Sequence, residues 1–298
     1  MIFHPRTLAE LCYLKLILKN PKTNEEKILV GTVLGIMHGA ERKDGTSGYL
    51  SVSMPNTFSM SPEYVRRFVQ TNQLNREYRN TFQLLRKKIT RTYEKHSFPR
   101  NSSSVHRSDA KTISKTDEFK KLKNKVNLIL TSPPYLGIVN YARQNWIRSW
   151  FLDANPELIS NELDDDLNLF EWIKFSKNTV SQLKKLLKPN GVAVFVIGDV
   201  AKSKNSIISL AREFAVMIKE NQLFKNVWIF SDYIQGVDKT TRIWGETKGK
   251  ATTIDRIVIL SDFNPFKDNQ RLNGESYLTY DLIKESTKHF MGNMLKNK

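Results

Sequence analysis

Two rhythms divide the chain. Up to about residue 96 apolar side chains recur three and four apart, and from residue 126 short apolar runs alternate with helical periods. Leu8, Leu11, Leu14 and Leu18 after Pro5 predict an amphipathic helix over 5–19, and a second is expected over 24–38. Residues 39–60, rich in glycine, serine and asparagine, read as a loop. Ser61-Pro62-Glu63 is a helix start, with proline at the first helical position and an acid in the first turn. That helix is expected to run to about 96 through Val65, Phe68, Val69, Phe82, Leu84 and Leu85. Residues 97–125 are polar, carry Pro99 and Ser102-Ser103-Ser104, and read as a linker. Beyond it the pattern predicts a strand at 126–131, helical segments near 140–152 and 168–187, a strand at 192–198 and a helix near 205–221. Strands 226–233 and 255–261 look like a closing pair, and Gly191 after Lys188-Pro189 reads as a tight helix-to-strand turn. Such β-α-β alternation predicts an α/β fold with a parallel sheet and right-handed crossovers. The expected organisation is a helical region 1–96, a basic linker 97–125 and an α/β domain 126–298.

The most informative residues are Thr131-Ser132-Pro133-Pro134-Tyr135, at the end of the apolar run Val126 to Leu130. Ligands of open α/β sheets bind outside the carboxyl ends of such strands. Two consecutive prolines stiffen the backbone and remove two N–H donors, so their carbonyls can face outward as fixed acceptors. With a serine hydroxyl and a tyrosine ring on either side, the segment can hold a planar ring that bears an amino group.

Composition narrows the setting. A chain of 298 residues with 40% hydrophobic and 26% charged positions is ordinary for a globular protein with a substantial core. No stretch approaches the ~18 uninterrupted apolar residues of a membrane span, and Met1 to Arg6 lacks the blocks of a signal peptide. Cys12 is the only cysteine, which excludes an internal disulfide and a cysteine-based zinc cluster, and five scattered histidines offer no metal-ligand spacing. A reducing cytoplasm fits. Net charge changes the picture more: of the total of +17, residues 61–125 contribute +11, with 17 Lys and Arg against 6 Asp and Glu. Such a block supplies the salt-sensitive part of nucleic-acid affinity, or else is a solvated lysine-rich surface.

Ile129-Leu130-Thr131-Ser132-Pro133-Pro134-Tyr135 resembles motif IV of the DNA amino-methyltransferases. These enzymes methylate N4 of cytosine or N6 of adenine from S-adenosylmethionine, and the Ser-Pro-Pro-Tyr form is more typical of the N4-cytosine ones. The resemblance extends to Val139-Asn140-Tyr141-Ala142-Arg143-Gln144-Asn145-Trp146 and to Leu187-Lys188-Pro189-Asn190-Gly191. It implies a Rossmann-like methyltransferase sheet of seven strands, of which this chain supplies the second half, strands four to seven, behind a mainly helical, basic N-terminal region. It also implies that Ser132 and the Pro133 carbonyl accept the two amino hydrogens, that Pro134 stiffens the turn, and that Tyr135 stacks on a base flipped out of the duplex. No metal and no covalent intermediate is expected. Thr131, Asn140, Tyr141 and Asp199 fall where cofactor or base would be lined; for Asp199, a helix cap is the alternative. Trp146 and Trp150 are expected to face the core. Arg86, Lys87, Lys88 and Arg91, with Arg242 and Lys248 around Trp244, are candidate phosphate contacts to double-stranded DNA.

The same resemblance requires a glycine-rich turn after the first strand and an acid at the end of the next, and neither is found. Gly31-Thr32-Val33-Leu34-Gly35 has the wrong spacing within a helical pattern, and Gly245-Glu246-Thr247-Lys248-Gly249 lies in a polar loop. In a complete sheet the missing first strand pairs beside strand 126–131, which is otherwise an exposed apolar edge. The expectation is a split enzyme of a restriction-modification or related defence system, in which a second polypeptide carries the glycine-rich cofactor motif. The alternatives are a catalytically inactive DNA-binding or specificity subunit of the same fold, and methylation of RNA or of a protein glutamine.

Overall fold

The computed structural model describes residues 1–42, 45–54, 61–94, 103–134, 136, 141–203, 206–233 and 254–266. Helices α1 (Pro5–Ile17), α2 (Asn24–Ile36), α3 (Pro62–Thr71) and α4 (Thr81–Tyr93) come first. Then follow α5 (Asp117–Lys120), strand β1 (Val126–Thr131), and helices α6 (Tyr141–Gln144), α7 (Trp146–Phe151), α8 (Pro156–Glu162) and α9 (Leu169–Lys184). Strand β2 (Leu187–Gly198), a hairpin of β3 (Val200–Ser203) and β4 (Ser206–Ile208), helix α10 (Leu210–Glu220), β5 (Asn226–Tyr233) and β6 (Ile254–Ser261) close the described chain. It divides into two compact units: Met1–Ser102 with Val139–Leu163, and Ser103–Ile138 with Asp164–Lys298.

The first unit is helical. Proline at N1 and the His4 ring open α1, and a reciprocal capping box of Thr23 and Glu26 opens α2. The single helix expected over 61–96 is two helices. Asn72 ends α3, Gln73 turns the chain with φ of +48°, and the Asn80 side chain accepts from the Gln83 N–H at 2.9 Å to start α4. The break is fixed from α1: Thr7 exchanges hydrogen bonds with the Arg79 backbone, and Glu10 accepts from the Thr81 N–H at 2.8 Å and the Tyr78 hydroxyl at 2.7 Å. Within the expected loop 39–60, the described residues 45–54 pack inward through the buried Leu50, Val52 and Met54.

The second unit is mixed α/β. Its main sheet has the order β1-β2-β6-β5, with β1 and β2 parallel and β6 antiparallel to both neighbours. The expected parallel sheet is therefore mixed: α10 carries the chain from β2 to β5, which runs the same way as β2, and β6 returns between them. One face, with Ala193, Phe195, Ile197, Ile229, Val258 and Leu260, is buried against α9 and α10, with Phe195 and Phe214 rings 4.9 Å apart. Each such large side chain contributes about 1.5–3 kcal/mol on burial. Residues of the polar stretch before β1 are tied to this unit: Lys111 pairs with Asp164 at 2.7 Å, and Ser114 donates to Gln182 at 2.5 Å. Gly191 lies inside β2, beside a register shift between Val126 and Leu128. A Cβ there would stand 2.9 Å from the Val126 carbonyl oxygen, so glycine is what permits the strands to approach.

Strand β1 is the edge of the sheet. Leu128 and Leu130 on it are 58% and 68% exposed, unlike the apolar residues of a parallel strand covered on both faces.

Candidate active site

Strand β1 ends at Thr131, and the Ser132-Pro133-Pro134 turn follows at the carboxyl edge of the sheet. Both prolines fix their own φ near −65° and hold the residue before them extended, so Ser132 and Pro133 have little backbone freedom. Bonds to a neighbouring strand and helix hold the turn to the rest of the unit. The exposed Ser132 hydroxyl donates to the Val196 carbonyl on β2 at 3.0 Å. The indole N–H of Trp172, a fully buried residue on α9, donates to the Pro134 carbonyl at 2.7 Å. The expectation that both proline carbonyls face outward therefore holds for one at most. Pro134 is engaged inward, whereas among the described residues none donates to Pro133.

Asp199 follows β2 at the same edge. Its side chain is 5% exposed and accepts from Arg256 of β6, through Nε at 3.3 Å and Nη2 at 3.2 Å, and from the Ser209 hydroxyl at 3.0 Å. The third guanidinium nitrogen of Arg256, Nη1, donates to the Ser231 hydroxyl on β5. The carboxylate thus ties β2 to β6, and the N-cap position of the following helix is Ser209. A buried carboxylate needs this partnering, because unpaired it would carry the full cost of desolvation.

Other candidates lie elsewhere. Tyr141 begins α6 in the helical unit, and Asn145, at the N-cap position of α7, accepts from Arg148 at 2.8 Å and donates to the Tyr141 carbonyl at 2.8 Å. Trp146 and Trp150, expected in the core, are half-buried and line an open groove of about 850 Å³ in that unit together with Glu63 and Arg143. Arg86, Lys87 and Arg91 are exposed on α4 and Lys88 is half-buried. Tyr135, Asn140, Arg242 and Lys248 lie outside the described residues. Sequence reasoning missed Trp172 and Arg256. The second left a trace, a cation inside the apolar run Ile254 to Leu260; the first left none. Among the described residues no group of three or more His, Cys, Asp or Glu could hold a metal, and no helix is long and apolar enough to cross a membrane.

No curated protein matches the chain. Among solved structures it is similar to TTHA0409 of Thermus thermophilus, provisionally assigned as a DNA modification methylase, at 18% identity and a TM-score of 0.32. That match covers 61% of each chain. The same protein complexed with S-adenosyl-L-methionine matches at 19% identity and a TM-score of 0.29, over 60% of this chain and 59% of that one. The chain thus spans about three fifths of the length of the solved protein it matches. Residues 126–293, more than half of the chain, match the N6/N4 family of DNA methylases, and the chain belongs to that family.

Proposed function

We propose that this chain is the target-base subunit of a site-specific DNA methyltransferase that modifies an exocyclic amino group, N4 of cytosine in preference to N6 of adenine. The observation that carries the reading is the Ser132-Pro133-Pro134 turn, held at the carboxyl end of β1 by Val196 and Trp172 in a chain of the DNA methylase family. The amino nitrogen of cytosine is a poor nucleophile because its lone pair is delocalised into the ring. A hydroxyl has one proton and two acceptor lone pairs. With its proton given to Val196, Ser132 acts toward the base as an acceptor, and the Pro133 carbonyl is the second. Two fixed acceptors draw both amino hydrogens toward the turn and favour tetrahedral nitrogen, so catalysis is mainly positioning and preorganised dipoles. Tyr135 stacks on the flipped base. The exposed cations of α4, with Arg242 and Lys248, meet the phosphates of double-stranded DNA.

S-adenosylmethionine supplies an electrophilic methyl group when bound. Gly31 and Gly35 lie inside α2 and Gly191 inside β2, so none of these three fits a glycine-rich turn at its methionine end. Thr131, Asn140, Tyr141 and Asp199 are left as candidates for the cofactor side of the pocket, with Asp199 reaching it only if its Arg256 pair opens. The glycine-rich cofactor motif is assigned to a second polypeptide that adds strands along the open edge of β1 and covers the sheet face on which Leu128 and Leu130 stand exposed. A methyltransferase of this kind works in the cytoplasm within a restriction-modification or related defence system. The missing glycine turn also favours a second reading, an inactive DNA-binding or specificity subunit that keeps the fold.

Radiolabelled methyl transfer from S-adenosylmethionine to genomic DNA separates the two, with this chain alone and with the product of a neighbouring gene that carries the turn. Transfer only in the mixture, lowered ~100-fold or more in Ser132→Ala at unchanged melting temperature, is the expected result. Salt-sensitive DNA binding with no transfer in either sample would leave the specificity subunit.

A further inference from the structure

We infer that Trp172 is a positioning residue for the base-binding turn. The inference rests on the reading of Ser132 to Tyr135 as the site of the target base. Of the backbone torsions in this turn, the two proline φ values are fixed by their rings, and Ser132 and Pro133, each preceding a proline, are held extended. The torsion left to set is ψ of Pro134, which orients its carbonyl. The Trp172 indole fixes that carbonyl at 2.7 Å.

Three features make this bond a rigid one. Trp172 is 0% exposed, so water does not compete for its N–H. Its ring lies 6.1 Å from that of Phe214, which in turn lies 4.9 Å from Phe195 of β2, so the indole is wedged between α9, α10 and the sheet. The opposite end of the turn is fixed separately by the Ser132 bond to Val196, on the same strand β2 as Phe195. The turn is therefore braced at both ends, with the Pro133 carbonyl between the braces. A phenylalanine would fill the core here without a donor, whereas the indole also donates to the Pro134 carbonyl.

Trp172→Phe keeps an aromatic ring against Phe214 and removes the donor. Methyl transfer to genomic DNA should fall at least ~10-fold in kcat, while KM for S-adenosylmethionine stays within about twofold and the melting temperature drops by a few degrees. A kcat equal to that of the unsubstituted protein, whatever the loss of stability, overturns the inference. A second measurement needs neither activity nor a folded Trp172 variant. In ¹⁵N-labelled protein, Ser132→Ala releases the far end of the turn, and the indole N–H resonance of Trp172 should shift while those of Trp146, Trp150 and Trp228 hold. If the Trp172 resonance does not move, the turn and the indole are uncoupled and the inference fails. If the unsubstituted protein transfers no methyl group with its candidate partner, the methyltransferase reading fails, and the resonance shift still decides the link between Trp172 and the turn.

Discussion

Replacing Leu128 and Leu130 with lysine separates the stability of this chain from its association with the second polypeptide proposed above. The two side chains are 58% and 68% exposed. Fully burying a leucine is worth about 1.5–3 kcal/mol. What remains to be gained by covering both is then roughly 2–4 kcal/mol, or ~30- to 700-fold in a dissociation constant. The part already buried is smaller, and a lysine stem keeps much of it while its ammonium stays in water. The lone chain should therefore lose about 1 kcal/mol or less in denaturant unfolding, within the usual range for surface positions. The complex should lose at least ~30-fold in affinity by sedimentation or calorimetry, with a further penalty for each ammonium carried into the interface. Two results would refute the reasoning. Equal affinity of both forms for the partner would mean that the β1 edge is not the docking edge. A fall in the lone chain's stability of several kcal/mol, as expected for a core position such as Ile197, would mean that the leucines are already covered in solution.

Two further expectations concern stability. Burial pushes the Glu10 carboxyl up, but hydrogen bonds from the Thr81 N–H and the Tyr78 hydroxyl outweigh it and hold Glu10 below its ordinary value. A depressed folded value stabilises the protein above the unfolded pKa of about 4.3 and is lost as pH falls through the lower folded one. Glu10→Gln should thus destabilise the helical unit at pH 7 and flatten its acid limb below about pH 4.3, read by helical circular dichroism; an unchanged acid limb would show that the carboxylate is not what joins α1 to α4. Gly191→Ala should cost about 1–3 kcal/mol in denaturant unfolding, because its Cβ would press on the Val126 carbonyl and force β1 away from β2. A neutral Gly191→Ala would place the strands farther apart than described.

Where local signals decide the structure, the sequence was readable. The strand expected at 126–131 is β1 to the residue, the strand expected at 226–233 is β5, and the Ser61-Pro62-Glu63 start opens α3. Where distant side chains decide it, the sequence was not. The apolar residues on either side of 72–80 read as one helix, and Thr7 and Glu10, about 70 positions earlier, hold the intervening segment open. The helix expected from 205 begins at Leu210, after a hairpin in 200–208 whose register is a pairing property rather than a periodic one. The motif at Ser132 was legible as a family resemblance, yet the geometry of the turn depends on Val196 and Trp172, 64 and 38 residues away. Nothing in a lone tryptophan says which carbonyl it will reach.

The braces on the turn bear on how such an enzyme can be divided between chains. Val196 lies on β2, Trp172 on α9, and the Asp199–Arg256 pair joins β2 to β6. All lie on the side of β1 away from its open edge, and none waits for strands beyond that edge. The geometry that would receive a base is therefore set within residues 126–261. What the open edge lacks is the apolar cover of Leu128 and Leu130 and, on the reading proposed above, the cofactor turn. On that reading, a cut between β1 and the proposed neighbouring strand would separate cofactor binding from base positioning without loosening the turn. Cut instead between β1 and β2, the same fold would lose the Val196 bond and leave Ser132 on a detached strand.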